Sequence, residues 1–260
     1  MKLLTLNCHS WQEENQLEKI EILAKTIIEN DYDIISLQEV SQKIDSEIAY
    51  ENIKIDNYGL ILLEKIKELG GVIYDFFWDF SHIGYDIYEE GLCLLTKQEM
   101  KNKESFFLTK SNDKYFWKTR KILCATVGDT DIYSCHLGWF NDDEEPFEVQ
   151  CENLANKIKE RKKKAILMGD FNNNAFTQKE GYDMLKNLGL VDSYSLAREK
   201  DSGVTIECEI AGWEGNKEKL RIDIVFVTEK MKVLKCNTIF NDMNKEIISD
   251  HYGVEVEIEE

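Results

Sequence analysis

The run AILMGDFNNN at residues 165–174 constrains this chain more than any other stretch. Apolar residues are followed at once by Gly169, Asp170 and an acid-amide cluster, the pattern of a buried strand that delivers polar groups to its carboxyl end. Proteins that mix strands and helices collect their chemistry at such ends. Taken alone, Asp170, Asn172, Asn173 and Asn174 also fit a plain strand-ending turn, because Asp and Asn side chains satisfy local backbone groups. What other strands bring to the same edge decides between the two.

Several do. Residues 3–6 read as a short strand opening on Asn7, Cys8 and His9; Ile20, Leu23, Ala24, Ile27 and Ile28 follow at helical spacing, predicting a helix over 16–29. Residues 33–40, DIISLQEV, give a second buried strand ending on Gln38 and Glu39. Strand, helix, strand favours a right-handed crossover with both strand ends at one edge. A helical pattern over 58–69 is stopped by Gly70 and Gly71, and 72–78 is rich in β-branched and aromatic residues, as strands are. Residues 81–91, SHIGYDIYEEG, are polar and aromatic together and read as a functional loop, with His82, Tyr85 and Tyr88 in it.

Strands are further expected at 92–96, 122–127 and 131–136, the last two joined by a turn at Gly128-Asp129. A helix through 150–164 starts near Pro146, the one proline, and its basic end from Arg161 to Lys164 complements the helix dipole as a solvated face. After 165–170 come a helix at 181–188, a loop at 203–219 carrying Trp213, strands at 221–228 and 232–240, the tripeptide Ser249-Asp250-His251, and a last strand at 254–258. No linker, repeat or low-complexity tract interrupts the order, so one domain over 1–260 is the simplest division.

Composition narrows the class. With 43% hydrophobic and 32% charged residues the chain has the makings of a packed globular core. Fifty acidic residues against 32 basic ones give a net charge of -18, which opposes long-range attraction to nucleic acid and also serves solubility. Seven scattered cysteines without a CxxC pair imply a reducing interior. No run reaches the roughly 20 apolar residues of a membrane helix, and the amino-terminal apolar run is too short for a signal peptide, so the expectation is a cytoplasmic protein without membrane contact.

Asn7, Glu39, His136, Asp170 with Asn172, Asp223, and the pair Asp250-His251 each carry a reactive polar group at or beside an apolar strand. Singly each has a structural explanation: a cap, a core imidazole, an ion pair of Asp223 with Arg221. Together they demand partners, because ionised carboxylates among apolar strands are costly unless paired or bound to a cation. Oxygen donors such as Glu39, Asp250 and the Asn7 amide suit a hard cation, and the lack of a Cys/His cluster argues against zinc.

In LTLNCHSW, SLQEV, SCHLGW, MGDFNNN, LRIDIVFV and SDHYG, in that order over nearly the whole length, the chain resembles the endonuclease/exonuclease/phosphatase superfamily of metal-dependent phosphoesterases. The resemblance implies an α/β fold of the DNase I type: a four-layer α/β/β/α sandwich of two packed mixed β-sheets flanked by helices. It further implies Mg²⁺, or Mn²⁺, held by Glu39 with Asn7 and Asp250; a phosphate-binding His136; Asp170 and Asn172 on the attacking water; and Asp223 orienting His251. Whether Asp170 or His251 is the base stays open.

The segments SHIGYDIYEEGL, KTRKILCAT, SCHLGWFND and GWEGNKEKLRID are similar to bacterial phosphatases acting on maltose 6'-phosphate, which implies a small phosphorylated sugar as substrate. Arg120 is then a candidate phosphate ligand, and Tyr85, Trp139 and Trp213 are candidate platforms for a sugar ring, with a surface arginine and core aromatics as the plain alternatives. A diesterase, nuclease or sphingomyelinase-like, shares the catalytic motifs, and a binding module of the same fold would have lost one of them.

Overall fold

The computed structural model of the protein describes residues 1–259. Two mixed sheets lie at its centre. The first has seven strands in the order Glu199–Lys200, Val233–Ile239, Gly253–Ile258, Lys2–Asn7, Ile34–Lys43, Tyr88–Thr96, Asp75–Gly84. The second has six, in the order Val191–Asp192, Asp223–Val227, Lys164–Asp170, Thr130–His136, Lys121–Val127, Lys101–Phe107.

The layers follow from strand periodicity. Successive side chains point to opposite faces, so a strand apolar at every position must be covered on both sides. Leu3 and Ile34 turn inward and meet Ile166, Met168 and Val225 of the second sheet. Leu4, Leu6, Ile35 and Leu37 face outward onto Ile20, Leu23, Ala24 and Ile27 of the helix Gln16–Asn30 and onto the helix Tyr58–Glu68. On the far side Ala165 and Leu167 meet the helices Phe147–Arg161 and Gly181–Asn187. Three cores between four layers are the expected α/β/β/α sandwich. Each fully buried Leu or Ile contributes about 2 kcal/mol to it.

Inside the central core a polar bridge fixes the sheets against each other: Ser36 Oγ donates to Ser134 Oγ at 2.8 Å, and Gln38 Nε2 donates to Ser36 Oγ at 2.9 Å. Buried hydroxyls are tolerated only when paired in this way. The pair lies just below the ends that carry Asn7 and His136, so the two sheets present those ends in a fixed relation.

Some local expectations need correction. Residues 81–91 are not a loop: Asp75–Gly84 and Tyr88–Thr96 form a hairpin turning at residues 85–87, with Tyr85 and Asp86 at positive φ of 52° and 62°. Its tip shows no apolar alternation because His82 and Glu90 face a cavity rather than a core. The strand expected at 72–78 therefore starts later and runs on to Gly84. The second strand does not stop at Glu39 but bulges there and continues to Lys43. Lys101–Phe107 went unread because an edge strand with one covered side carries Lys, Asn and Glu. The third long helix ends at Arg161 rather than 164; Lys162 and Lys163 are exposed as expected, but Arg161 is tied down, its Nε holding Asp131 at 2.7 Å and its Nη1 holding Glu104 at 3.2 Å. Among the described residues no helix is long and apolar enough to cross a membrane.

Candidate functional site

Three neighbouring strands of the second sheet place His136, Asp170 and Asp223 in one row: Asp170 is the register partner of His136 on one side and of Asp223 on the other. Gly169 makes the approach possible. Its φ is +152°, and a Cβ there would lie 1.9 Å from the Cys135 carbonyl oxygen. Immediately after Asp170 the chain turns: the Asn172 N–H donates to Asp170 Oδ1 at 2.8 Å, with Asn172 itself at φ 48°. Asn172 is locked further, since Nδ2 donates to the Leu137 carbonyl at 2.9 Å and Oδ1 accepts from Trp213 Nε1 at 3.1 Å. Trp213 thus braces Asn172 and packs on Ile206, Ile210, Leu220 and Ile222.

The first sheet supplies the facing groups. At Glu39 the pairing with the hairpin strand skips from Gln38 opposite Leu92 to Val40 opposite Gly91, and Glu39 takes φ 54°. A bulge with its extra residue in a left-handed conformation re-aims that side chain, at about 1 kcal/mol of strain. Asn7 Nδ2 donates to Glu39 Oε1 at 2.8 Å and to Asp170 Oδ2 at 3.2 Å, joining the two sheets' carboxylates. The amide nitrogen, not the oxygen expected to serve a metal, faces Glu39; Asn7 Oδ1 accepts the His9 N–H at 3.2 Å. Ser249 Oγ donates to the Asn7 carbonyl at 2.7 Å and so pins the loop that carries Asp250 and His251. From there His251 crosses to the second sheet, with Nδ1 at 2.9 Å from Asp223 Oδ2 and Nε2 at 3.9 Å from Asp170 Oδ2. Asp223 is therefore the partner of His251; Arg221 pairs instead with Asp192 at 2.6 Å.

Burial sets the charges. Burial first, then the neighbouring Asp223, pushes the Asp170 carboxyl up to about 7. Burial and the charges of Glu90 and Asp250 push Glu39 up to about 8. His251 goes the other way from burial alone: desolvation would lower it, but Asp223 and Asp170 together hold it well above the ordinary imidazole value. His136, buried and close enough to feel Arg120, is held well below that value, with Nε2 at 3.6 Å from Asp170 Oδ2.

These groups line one cavity of about 300 Å³. Arg120, Tyr85 and Trp139 line it too, whereas Asn7, Asp223 and Trp213 do not. Sequence reading missed Glu90, Trp117 and His9, and left open whether His82 faces the site. All four line the cavity. His82 and Glu90 are cross-strand partners in the hairpin, Nε2 to Oε1 at 3.3 Å, with His82 Nδ1 facing the Thr119 carbonyl at 3.2 Å. His9 Nδ1 meets Glu13 Oε1 at 2.8 Å; burial would lower the ring, but Glu13 and the charges of Asp250 and Glu39 raise it to about 9. A hairpin reading of 81–91 would have put His82 opposite Glu90; nothing in the sequence singles out Trp117.

The donor set suits a divalent cation. Glu39, Glu90 and Asp250 bring three carboxylates to the cavity lining, and the upward push on Glu39, from burial first and then from the charges of Glu90 and Asp250, is one that a bound cation relieves. Oxygen donors of this kind suit a hard cation. Two tighter sets exist, His9 with Glu13 and Asp250, and Asp170 with Asp223 and His251. Glu13 and Asp223 in those sets are already paired with His9, Lys19 and His251, whereas Glu39 accepts from the neutral Asn7 amide and makes no ion pair among the described residues, so Glu39 is the better anchor.

Residues 4–251 match the model of the Endonuclease/Exonuclease/phosphatase family. An endonuclease/exonuclease/phosphatase family protein from Leptotrichia buccalis is 38% identical over 100% of both chains and superposes with a TM-score of 0.94. The fold is shared at 18% identity, over 100% of both chains, with a mannosyl-6-phosphatase of Bacteroides thetaiotaomicron at a TM-score of 0.69. A 3'-5' exonuclease of Neisseria meningitidis shares it equally at 18% identity, over 100% of both chains, with a TM-score of 0.66. No curated protein matches the chain.

Proposed function

The chain belongs to the endonuclease/exonuclease/phosphatase family, and from that premise we propose that it is a Mg²⁺-dependent phosphomonoesterase acting on a phosphorylated sugar. Relatives in fold include both a sugar phosphatase and an exonuclease, so the fold does not choose. The observation that supports the sugar phosphate is the cavity. Its size of about 300 Å³ suits a small ligand, and its walls pair acid, imidazole and guanidinium groups with the rings of Tyr85, Trp117 and Trp139. Aromatic faces stack on the apolar faces of sugar rings.

In this reading Glu39 would hold the cation, with Asp250 and Glu90 completing the negative field. Bound there, a divalent ion supplies Lewis-acid stabilisation of the phosphoryl oxygens. The protein's own groups divide the remaining work. Asp170, pushed up to about 7 by burial and Asp223, is a base matched to neutral pH and takes the proton of the attacking water. Asn172 fixes that carboxylate through its N–H at 2.8 Å, and Asn7 does so from the other oxygen at 3.2 Å. His251 stands between two carboxylates and keeps its proton, so it donates to a phosphoryl oxygen instead of competing as base. Neutral His136 donates a second hydrogen bond from the opposite side of Asp170.

The test is phosphate release by the purified protein with Mg²⁺ from maltose 6'-phosphate and other sugar phosphates, beside an abasic-site duplex and sphingomyelin. Release from at least one sugar phosphate, with kcat/KM above that for either diester, is the expected outcome. Cleavage of a diester with no release from any sugar phosphate sinks the proposal.

A further inference from the structure

One cation in the cavity wall makes no ion pair at contact distance among the described residues, although the carboxylates of Glu90, Glu39 and Asp170 attract it from farther off. Arg120 is 3% exposed and, among the described residues, is the only Arg or Lys lining the cavity. Arg161 and Arg221, the other guanidiniums held in the protein, grip Asp131 and Asp192 at 2.7 and 2.6 Å. Arg120 makes no such ion pair among the described residues. Nη1 donates to the carbonyls of Trp117 at 2.9 Å and Thr119 at 3.5 Å, while Nε is buried without an acceptor.

The group is nevertheless held firmly. Its guanidinium carbon lies 5.5 Å from the centre of the Trp139 ring, and Trp139 in turn meets Trp117 at 5.8 Å. The Arg120 backbone is bonded on both sides, its N–H to Thr109 Oγ1 at 3.0 Å and its carbonyl to the Leu108 N–H at 2.9 Å. A buried guanidinium with an unpaired edge is costly unless an anion completes it. The planar fork offers that anion two parallel donors, the geometry that suits a phosphate.

We propose that Arg120 is the specificity-determining residue that selects dianionic phosphate monoesters over monoanionic diesters. The proposal rests on the phosphomonoesterase reading above. A monoester above its second pKa of about 6 carries a charge close to -2, whereas a diester carries one negative charge. A protonated imidazole and a carboxylate-held cation also favour the more highly charged ester, but each needs only one non-bridging oxygen, which both kinds of ester offer. With one such oxygen on the cation, a monoester keeps two for the guanidinium fork and a diester keeps one, so the fork distinguishes them.

Isothermal titration calorimetry at pH 8 with Mg²⁺ tests this, using methyl phosphate and dimethyl phosphate against wild type, Arg120→Met and Arg120→Lys. Wild type should bind methyl phosphate the more tightly, and Arg120→Met should weaken methyl phosphate by about 100-fold and dimethyl phosphate by less than about 3-fold, the loss of a charge-assisted pair. Equal losses for both ligands, or no preference in wild type, overturn the proposal. If Arg120→Met fails to fold, Arg120→Lys decides: it keeps the charge but not the fork, so it should bind methyl phosphate about 10-fold less tightly while still preferring it. Unchanged affinities in Arg120→Lys and no preference between the ligands would refute it. Turnover of sugar phosphates fails separately: a protein that shows the binding contrast but releases no phosphate from any sugar phosphate refutes the substrate reading and not the role of Arg120.

Discussion

Asp170→Asn should lower kcat by about 1,000-fold, the loss expected when a general base is removed, and should leave the fold in place. The side chain is buried, and burial together with Asp223 makes its ionised form expensive. An amide of the same shape removes that cost and can still accept the Asn172 N–H that Oδ1 accepts at 2.8 Å. It gives up the acceptor at Oδ2 to which Asn7 Nδ2 donates at 3.2 Å, because an amide nitrogen accepts no hydrogen bond. These effects oppose one another, so the thermal midpoint should stay within about 4 °C of wild type, equivalent to roughly 1 kcal/mol. Steady-state kinetics and a melting curve on the same preparation check both halves. Near-normal turnover would remove Asp170 from the role of base, and a collapsed melting curve would recast it as structural.

The second large effect falls one residue earlier. Gly169→Ala should destabilise the protein by about 4 kcal/mol and lower the melting midpoint by about 10 °C. Two causes add. The backbone at +152° is one that L side chains rarely adopt, and the new methyl would sit 1.9 Å from the Cys135 carbonyl oxygen in the paired strand. Neither contact is with the flexible end of a side chain, so relief requires the strands Thr130–His136 and Lys164–Asp170 to part where they carry His136 and Asp170. Activity should fall with stability. Calorimetric unfolding within 2 °C of wild type would show that the strand pair yields more easily than its geometry implies, the shift for a full kcal/mol being about 2 to 4 °C.

The contrast between these two neighbours explains what was legible in the sequence. AILMGD reads as a strand because every position is apolar and both faces are covered, and Asp170 stands out at its end. The same reasoning reached Asn7, His136, Asp223 and the Asp250-His251 pair, each beside an apolar run. It could not see the left-handed bulge at Glu39, because nothing in SLQEV distinguishes a residue that ends a strand from one that kinks it. Nor could it see Glu90, whose hairpin turns toward a polar cavity and so lacks the alternation that marks a strand. Trp117 sits on a connecting segment, where side-chain direction follows from tertiary contacts such as those of Arg120 and Trp139. Trp213, a candidate platform for a sugar ring, commits its indole N–H to Asn172 at 3.1 Å and does not line the cavity. Patterning reveals residues that strands deliver; it is silent on those that loops fold back.

In the proposed reaction the carboxylates around Glu39 would hold a divalent cation that phosphate release requires. Phosphate release from a sugar phosphate by protein stripped with EDTA, then given Mg²⁺, tests it most directly, with Glu39→Gln measured alongside. Stripped wild type should be inactive and recover on adding Mg²⁺, while Glu39→Gln, folded but short of its anchoring carboxylate, should stay at least about 100-fold slower at the same Mg²⁺ concentration. Full-rate release by the stripped protein, or full recovery of Glu39→Gln at that concentration, would contradict it.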